Sequence, residues 1–574
     1  MVFRPDNYVK FFAKSFFLPA IFLLLSVASA WGTDYYVSSS KGSDLHSGMS
    51  ADQPWKTLSK VTKIVLNPGD RIFLKRGDVW RESLAIIGSG TESGPLKISA
   101  YGDGPKPVLN GSITLTGWQP HDKGIFRTEY KSVCQGLLED GKPLKKAMGK
   151  ELHDGLWYHD GVRLYYRPGK GRPSDHLVEA AVKNGLRIYS RDDVIIEGLA
   201  IYGHGGSGIW VVNSSNLQVK NCHITGNAGH GIGIANRVDK PGSPCSDIVI
   251  QENTLSWNAN GIYLISEHGA AGLQNIKIMK NLVEYNDFEE VWRHTTKDGH
   301  GLGVQNTSGS YFGENEFRYN HTGPCFWTQA ERRSDNNIMA RNFIHHNQKS
   351  GVAFGGEGRD NMAGNLICFN IISDNGYITS GNTYDKGFNG GLRINRSQVV
   401  RNIFHHNTLA SNDVNIFLHA LTDYAVIRNN ISYSPKSYHV LIKGAFDHNE
   451  FANNLYYPDG PGLFGVGKDK RLDFRTWKTK TGQDKGSIVA DPLFKNASLK
   501  LPDDFRPASN QTAVIAPRDR RLPPAPKWIH PIGGHPTEVN IKSLDEYTRV
   551  DYFGRPLGNQ LFIGAIREER STAK

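Results

Sequence analysis

Short segments in which apolar and polar residues alternate recur through the middle of the chain. Alternation with a period of two is typical of β-strands that bury one face. The segments begin roughly 23 to 40 residues apart, and the shorter spacings match one coil of a solenoid of stacked parallel strands. The pattern therefore predicts a parallel β-helix. In chain order the segments are GIWVVN, GIGIAN, GIYLIS, GLGVQN, CFWTQ, GVAFGG, GLRIN, NIFLH and HVLIKG.

Asparagines recur in pairs around a second set of short apolar segments. Asparagines at one place in successive coils can hydrogen-bond along the solenoid axis, as other side-chain ladders do. We therefore interpret the pairs as structural, and we expect at least nine coils between about residues 190 and 456. An antiparallel β-propeller would need four strands per blade and a different turn spacing. The pairs are Asn221 and Asn227, Asn253 and Asn258, Asn281 and Asn286, Asn315 and Asn320, Asn342 and Asn347, Asn365 and Asn370, and Asn402 and Asn407.

Residues 1–30 have the features of a secretory signal peptide. Basic residues precede an apolar stretch from Phe16 to Val27, and Ala28-Ser29-Ala30 supplies the small residues of a cleavage site. We expect cleavage to leave Trp31 at the N-terminus of an exported protein, periplasmic or extracellular. An uncleaved membrane anchor is the alternative. No later segment is apolar enough to span a bilayer, so no transmembrane anchor is expected after processing.

The remaining chain divides where the repeat begins, breaks and fades. In the first part, Leu58, Val61 and Val65 are spaced along one face of a helix that could cover the first coil. The predicted parts are residues 31–117 as an N-terminal cap and first coils, 118–190 as a β-rich insert, 191–456 as the β-helix core, and 457–574 as C-terminal coils and a proline-rich tail.

Composition and charge narrow the range of partners. The chain has 38% hydrophobic and 21% charged residues, which is typical of a soluble globular protein. Residues 1–30 carry three positive and one negative side chain, so their removal lowers the formal net charge from +11 to +9. A basic exported protein suits an acidic polysaccharide or an anionic envelope surface, and export argues against nucleic acid. A merely solvated basic surface is the alternative.

The cysteines give no sign of a metal site. Their number, five, is odd, so at least one has no partner within the chain, and no CxxC spacing occurs. We expect most of them to be buried and unpaired.

The opening sequence, from DYYVSSSKGSD through PWKTLSKVTKIVLNPGDRIFLKRGDVWRESL to ISAYGDGPKPVLNGS, resembles the start of bacterial right-handed β-helix proteins of the pectin-lyase-like group. The segments GLWYHDGVRLYYRPGKGRP, TGQDKGSIVADPLF and VDYFGRPLGNQLFIGAI are also similar to parts of that group. Many of its members are carbohydrate-active. The resemblance implies an all-β right-handed parallel β-helix. Because the group contains lyases, glycosidases and epimerases, it does not fix the reaction.

Strand alternation predicts a polar stripe on the outer face of the solenoid. Such a stripe has the shape of a polysaccharide groove, with about 4.8 Å between coils, although an ordinary solvated face is the alternative. Its members are Gln305, Thr328, Gly355, Asn395, His419 and Lys443.

Long loops beside these coils, at residues 285–300 and 374–391, could form the walls of the groove. In the first of them, Trp292 either stacks on a sugar ring or fixes its own loop. The residues predicted to bind substrate are Trp292, Asp298, His300, Gln305, Asn395 and Lys443.

Two sets of ionisable residues suit two cleavage mechanisms. Glycoside hydrolysis needs two carboxylates, and Glu331, Glu357 and Asp360 lie near the stripe, the two glutamates about one coil apart. β-Elimination beside a uronate carboxylate needs a base and a cation, which Arg393 and His419 could supply. We therefore predict Glu331, Glu357, Asp360, Arg393 and His419 as catalytic residues.

Two local motifs do not identify a particular enzyme family. The sequence DGHG at residues 298–301 is similar to the GHG motif of polygalacturonases, but the accompanying aspartates and Arg-x-Lys element are not found at matching spacing. The alginate and chondroitin lyase family carries lysine and arginine where this chain has Gln305 and Gln329.

Calcium is the cofactor considered, because carboxylates suit it. Candidate ligands are Asp298, Glu331, Glu357 and Asp360, although their spacing is not that of a known calcium motif.

The sequence as a whole predicts an exported enzyme that cleaves a polysaccharide, with β-elimination on an acidic polymer favoured by the basic residues. A glycoside hydrolase that uses a carboxylate pair is one alternative. A non-catalytic scaffold that binds or exports polysaccharide is the other.

Overall fold

The computed structural model describes residues 32–292, 299–328, 332–356, 362–377, 389–394, 399–418, 422–443, 448–496, 498–506 and 552–553. The predicted signal peptide lies outside these residues. Within them, parallel strands stack coil upon coil into three long sheets, so the predicted all-β parallel β-helix is confirmed. Neither α-helix of the described part is long and apolar enough to cross a membrane.

Each coil contributes one short strand to each sheet, because turns fall every few residues. Sheet 1 consists of Asp34–Val37, Arg71–Lys75, Leu96–Tyr101, Val194–Glu197, Leu217–Lys220, Ser246–Gln251, Leu273–Met279, Thr307–Ser308, Tyr311–Gly313, Ile338–Ala340, Leu366–Cys368, Ile403–His405, Val426–Arg428 and Glu450–Ala452. Sheet 2 consists of Val79–Trp80, Val108–Asn110, Ala200–Tyr202, His223–Thr225, Thr254–Ser256, Leu282–Glu284, Glu316–Arg318, Phe343–His345, Ile371–Ser373, Thr408–Ala410, Ile431–Tyr433, Leu455–Tyr457 and Ile488–Val489.

Sheet 3 carries the predicted stripe. It consists of Leu84–Ala85, Leu186–Tyr189, Ile209–Val212, His230–Asn236, Asn260–Ser266, His300–Gln305, Thr322–Thr328, Val352–Gly356, Gly390–Ile394, Val414–Leu418, Tyr438–Ile442, Phe464–Val466 and, antiparallel at its end, Asp469–Leu472. A small parallel sheet is formed by Met362–Ala363, Val399–Val400 and Thr422–Asp423.

One continuous apolar core fills the solenoid. It extends from Val37 through the inward residues of every coil to Trp477. A single coil cannot bury its own inward face, so this core exists only because the coils stack. Helices cover both ends, namely Leu58–Thr62 and Phe474–Thr481. Val65, predicted on the face of the first helix, lies beyond its end and is 69% exposed.

The C-terminal helix is fixed by buried hydrogen bonds. Asp473 caps its first turn by accepting from the Thr476 amide at 2.7 Å, as side chains at helix starts commonly do. Asp484 accepts from Trp477 Nε1 at 2.7 Å and from Tyr456 at 3.0 Å. Burial raises the pKa of the Asp484 carboxyl, and these donors compensate the buried group.

The insert is a sheet with a core of its own, antiparallel except between Lys142–Lys146 and Leu156–His159, which pair in parallel. Trp157, Leu164 and Tyr166 are fully buried in it. It is joined to the solenoid by Glu179, which accepts from the Tyr202 hydroxyl at 2.6 Å and from Arg81 Nη1 at 3.1 Å. In spatial order its strands are Ser112–Thr114, Val178–Ala181, Gly136–Glu139, Lys142–Lys146, Leu156–His159, Arg163–Arg167, Ile125–Glu129 and Gln119–Asp122. Short 3-10 helices occur at Pro173–Asp175, Phe288–Glu290 and Pro502–Phe505.

Buried asparagines form ladders along the axis, as the sequence predicted. In two of these ladders each Nδ2 donates to the Oδ1 of the next member at 2.7–3.2 Å. The first contains Asn253, Asn281, Asn315, Asn342, Asn370, Asn407, Asn430 and Asn454. The second contains Asn227, Asn258, Asn286, Asn320, Asn347, Asn375 and Asn412. A third contains Asn337, Asn365 and Asn402.

The membership of the ladders differs from the predicted pairs in two respects. Asn221 is exposed and lies outside them, and the Cys222 amide donates to Asn253 instead. Asn365 and Asn402 belong to the third ladder, because the later coils carry three asparagines five residues apart. Where a coil carries three asparagines five residues apart, the spacing alone cannot show to which ladder each asparagine belongs.

A column of glycines lies within one residue of the start of seven strands of sheet 3. Its members are Gly208, Gly231, Gly261, Gly301, Gly323, Gly351 and Gly391. A Cβ on Gly231 or Gly301 would lie 2.9 or 3.0 Å from the Nδ2 of a ladder asparagine, which leaves no room for a side chain. After Gly391, Asn415 takes this place and ends the second ladder by accepting from Asn412 at 3.0 Å.

All five cysteines are buried and free, in agreement with the expectation from their number and spacing. Burial raises the pKa of the Cys134 thiol to about 12. Such thiols are poor nucleophiles.

Three buried histidines should make the fold sensitive to acid. Burial lowers the pKa of His204, His405 and His439 to about 4, whereas an unfolded chain gives about 6.5. The unfolded state therefore binds protons first as the pH falls. The free energy of unfolding should have its full value above about pH 6.5. It should fall towards pH 4 by about 1.4 kcal/mol per pH unit for each histidine.

The melting temperature measured between pH 7.5 and 4.5 tests this expectation. Replacing buried His439 with Gln should make the decline less steep, whereas replacing exposed His448 with Gln should not. A melting temperature that does not change over this range would contradict it.

Candidate functional site

The outer face of sheet 3 presents one column of side chains from successive coils. Gln305 pairs in register with Trp327, and Trp327 pairs with Gly355. Further along the axis, the core residues Ile394, Leu418 and Ile442 are in register with one another. Lys443 directly follows Ile442 in the chain. Gln305 and Gly355 thus lie in the predicted column, with Trp327 rather than Thr328 between them.

One member of the stripe was predicted wrongly. Trp327 points outward and is half-buried, whereas Phe326 and Thr328 on either side are fully buried. Strict alternation predicts Trp327 inside and Thr328 outside. The segment CFWTQ has three consecutive apolar residues, so alternation alone cannot fix which of them faces the core.

Two predicted basic residues meet around one aromatic ring. The Arg393 guanidinium lies 6.0 Å from the centroid of the Phe417 ring, and Lys443 Nζ lies 5.4 Å from it. Cations at such distances are attracted by the ring. Phe417 is 2% exposed and Arg393 is 9% exposed. The structure therefore brings together a catalytic and a substrate-binding candidate, and Phe417 is a positioning residue that the sequence did not identify.

Trp292 lies in the interior and is not accessible to a ligand. Its side chain is fully buried against Ala228 and Ala259, and its Nε1 donates to the Trp257 carbonyl at 2.7 Å. A Cβ on Gly136 of the insert would overlap the indole. The prediction that Trp292 binds substrate is therefore wrong, and its alternative, that Trp292 fixes its own loop, is correct.

His300 belongs to an outward stack of rings on earlier coils. Ring centroids are 5.7 Å apart between Trp210 and His230, 4.7 Å between His230 and Tyr263, and 6.3 Å between Tyr263 and His300. Buried Asn260 orients this stack. Its Oδ1 accepts from the His300 amide at 2.7 Å, so its Nδ2 faces His230 Nδ1 at 3.2 Å, and that nitrogen is the acceptor.

Gln305 has little access to a ligand. It lies on the outer face, as predicted, but it is only 4% exposed. A ligand on this face would therefore make little contact with Gln305.

Two loops beside the ring stack are joined to each other. Arg237 follows strand His230–Asn236, and Glu267 follows strand Asn260–Ser266. Arg237 Nη1 lies 3.2 Å from Glu267 Oε1, so these loops form a connected edge beside the ring stack.

The other predicted site residues lie outside the described part of the chain. They are Asp298, Glu331, Glu357, Asp360, Asn395 and His419. Several of them follow strands of sheet 3 directly in the chain, since Glu357 comes after Gly356 and His419 after Leu418. The candidate calcium ligands are all among the six. Within the residues that the structure describes, no cluster of three or more His, Cys, Asp or Glu side chains is arranged to hold a metal ion.

Comparisons with known proteins agree with this architecture. Residues 159–317 match the family model described as the right-handed β-helix region. A segment of 95 residues is 43% identical to lacto-N-biosidase of Bifidobacterium longum subsp. longum, and this match spans 15% of the chain and 6% of that relative.

Similar solved structures are more distant in sequence. A structure of XylC in complex with xylose has a TM-score of 0.57 at 13% identity, covering 80% of this chain and 87% of the other. A pectate lyase has a TM-score of 0.38 at 15% identity, covering 73% and 79%. The chain is a right-handed parallel β-helix protein, and it resembles carbohydrate-active members of that class.

Proposed function

We propose that the protein is an exported enzyme that cleaves an acidic polysaccharide by β-elimination on the outer face of sheet 3. The observation that carries the proposal is the pair of cations, Arg393 and Lys443, held around Phe417. A uronate carboxylate beside them would be neutralised, which makes the neighbouring C–H group more acidic.

In this mechanism Arg393 neutralises the carboxylate and Lys443 helps to bind the polymer. A base removes the proton from the carbon next to the carboxylate, and His419 is the candidate because it follows the strand between those of Arg393 and Lys443. The electron pair forms the new C=C bond, the glycosidic C–O bond breaks, and the leaving oxygen takes up a proton.

Export is part of the same proposal. It is supported by the basic and apolar segments of residues 1–30 and by the cleavage pattern before Trp31. N-terminal sequencing of protein recovered outside the cytoplasm should begin at Trp31, and recovery of protein that begins at Met1 would contradict it.

Glycoside hydrolysis is the second candidate. It is favoured by the 43% identity to a segment of lacto-N-biosidase. In this chain Glu331, Glu357 and Asp360 would supply the acid and the base or nucleophile, and their separation would decide between retention and inversion.

Incubation with polygalacturonate, alginate and xylan separates these candidates. Ultraviolet absorbance of an unsaturated uronate product supports β-elimination. New reducing ends without that absorbance support hydrolysis. Binding without either product would instead support the non-catalytic scaffold.

Two variants should distinguish the mechanisms by their opposite effects. If the enzyme is a lyase, replacing His419 with Ala should lower turnover by about 100-fold or more, whereas replacing Glu357 with Gln should have a smaller effect. A hydrolase should show the reverse. Circular dichroism and the melting temperature control for folding. Full activity in both variants would remove both residues from the mechanism.

A further inference from the structure

Trp327 differs from the other tryptophans that the structure describes in having no intramolecular partner. Each of the other eight has either a ring contact or an Nε1 hydrogen bond. They are Trp55, Trp80, Trp118, Trp157, Trp210, Trp257, Trp292 and Trp477. Buried Trp N–H groups usually find a partner, so an indole without one, half-exposed on a strand, is available to a ligand.

The surroundings of Trp327 leave space beside its ring. In register with it, the next coil carries Gly355, which has no side chain. The neighbouring outward column carries only Cys325 and Ala353 beside Trp327 and Gly355, whereas the Tyr263 ring covers Gly303 of the coil before. A large aromatic side chain next to a row of small ones forms a shallow trough on an otherwise regular sheet.

The trough lies beside Arg393 and Lys443 along the solenoid axis. Arg393 continues the column of small residues, since it pairs in register with Ala353. It lies two coils beyond Trp327, at about 10 Å along the axis by the usual strand spacing. A polymer lying along the outer face would therefore contact the indole and the cations with different sugar units.

We propose that Trp327 stacks against a pyranose ring of the substrate, and that it forms a binding subsite next to the one at Arg393 and Lys443. The apolar C–H face of a sugar suits the face of an indole, and carboxylates on neighbouring units suit the two cations. The ligand is thus a chain of pyranoses with acidic groups. This inference rests on the proposed function, because it takes the same face of sheet 3 as the polysaccharide site.

Tryptophan fluorescence titrations with polygalacturonate and with xylan test the subsite without requiring catalysis. Replacing Trp327 with Ala should weaken binding of polygalacturonate about tenfold, and Trp327→Phe should recover part of the loss. The matched control is Trp118→Phe, which changes a half-buried indole of the insert that contacts Tyr166 and should leave binding unchanged. Where the polymer is cleaved, Trp327→Ala should raise KM and leave kcat within about twofold.

The possible results distinguish a failure of the proposed subsite from a failure of the proposed enzyme activity. Equal affinity in wild type and Trp327→Ala would overturn the subsite and leave the proposed cleavage standing. Equal loss in Trp118→Phe would also overturn it. Weaker binding by Trp327→Ala in a protein that cleaves nothing would support the subsite and contradict the enzyme. Tighter binding of xylan than of polygalacturonate would overturn the acidic character of the ligand, and binding of neither would contradict the subsite.

Discussion

Replacing Arg393 with alanine should lower kcat/KM on an acidic polysaccharide by about 100-fold to 1000-fold. The guanidinium is held against Phe417 in a nearly buried position, where a charge acts more strongly on a developing anion than it does in water. Arg393→Lys should recover part of the activity, because it keeps the charge but loses the planar fork of donors.

A matched control for this variant lies on the same sheet. Arg187 occupies the same outward column as Arg393, in register with Trp210, and is about 34 Å away by strand spacing. Arg187→Ala should leave kcat/KM unchanged. Initial rates on polygalacturonate and on xylan measure the effect, and an equal loss on both polymers would indicate a structural role for Arg393 rather than recognition of a carboxylate.

Replacing Asn320 with Asp should destabilise the solenoid by about 3–5 kcal/mol. Asn320 is fully buried, and its Nδ2 donates to Asn347 Oδ1 at 3.1 Å and to the Val283 carbonyl at 2.9 Å. A carboxylate of the same shape has no hydrogens to donate, so both acceptors would face a buried negative charge.

Asn221→Asp is the control for that variant, since Asn221 belongs to the same sequence pattern but is exposed. Lys106 Nζ lies 2.8 Å from its side-chain oxygen, so a new carboxylate there gains a cationic neighbour. Urea unfolding followed by circular dichroism should show a lower midpoint for Asn320→Asp and an unchanged one for Asn221→Asp. Equal midpoints would show that the ladder contributes little to stability.

The fold could be predicted from the sequence because each coil repeats the same physical requirements. Strands such as GIYLIS and GLGVQN place alternate apolar residues in the core. The ladder asparagines lie in the turns before such strands, as Asn258 does before GIYLIS. Which residues of a strand face the core was clear wherever apolar and polar residues alternate. It failed at Trp327, where three apolar residues are adjacent and only packing decides which faces the core.

The site was harder to predict because its residues are defined by contacts between distant segments. Arg393 and Lys443 were found from alternation, but the ring between them gives no sequence signal beyond being apolar. Trp292 was assigned wrongly because its burial depends on residues that are distant from it in the chain. These are Gly136 of the insert and two alanines of earlier coils.

The glycine column has a consequence for how such a protein can change its length. Gly208, Gly231, Gly261, Gly323 and Gly351 each face the carbonyl oxygen of the column glycine in the next coil. Because this contact repeats, the segment from Gly323 to Ser350 corresponds to one whole coil. Duplicating it in the gene would lengthen the outer face by one strand spacing, about 4.8 Å, and leave the existing ladders in register. Insertion of a single residue would break that register anywhere except in the loops. The binding face can therefore evolve in whole-coil steps, while the loops vary residue by residue.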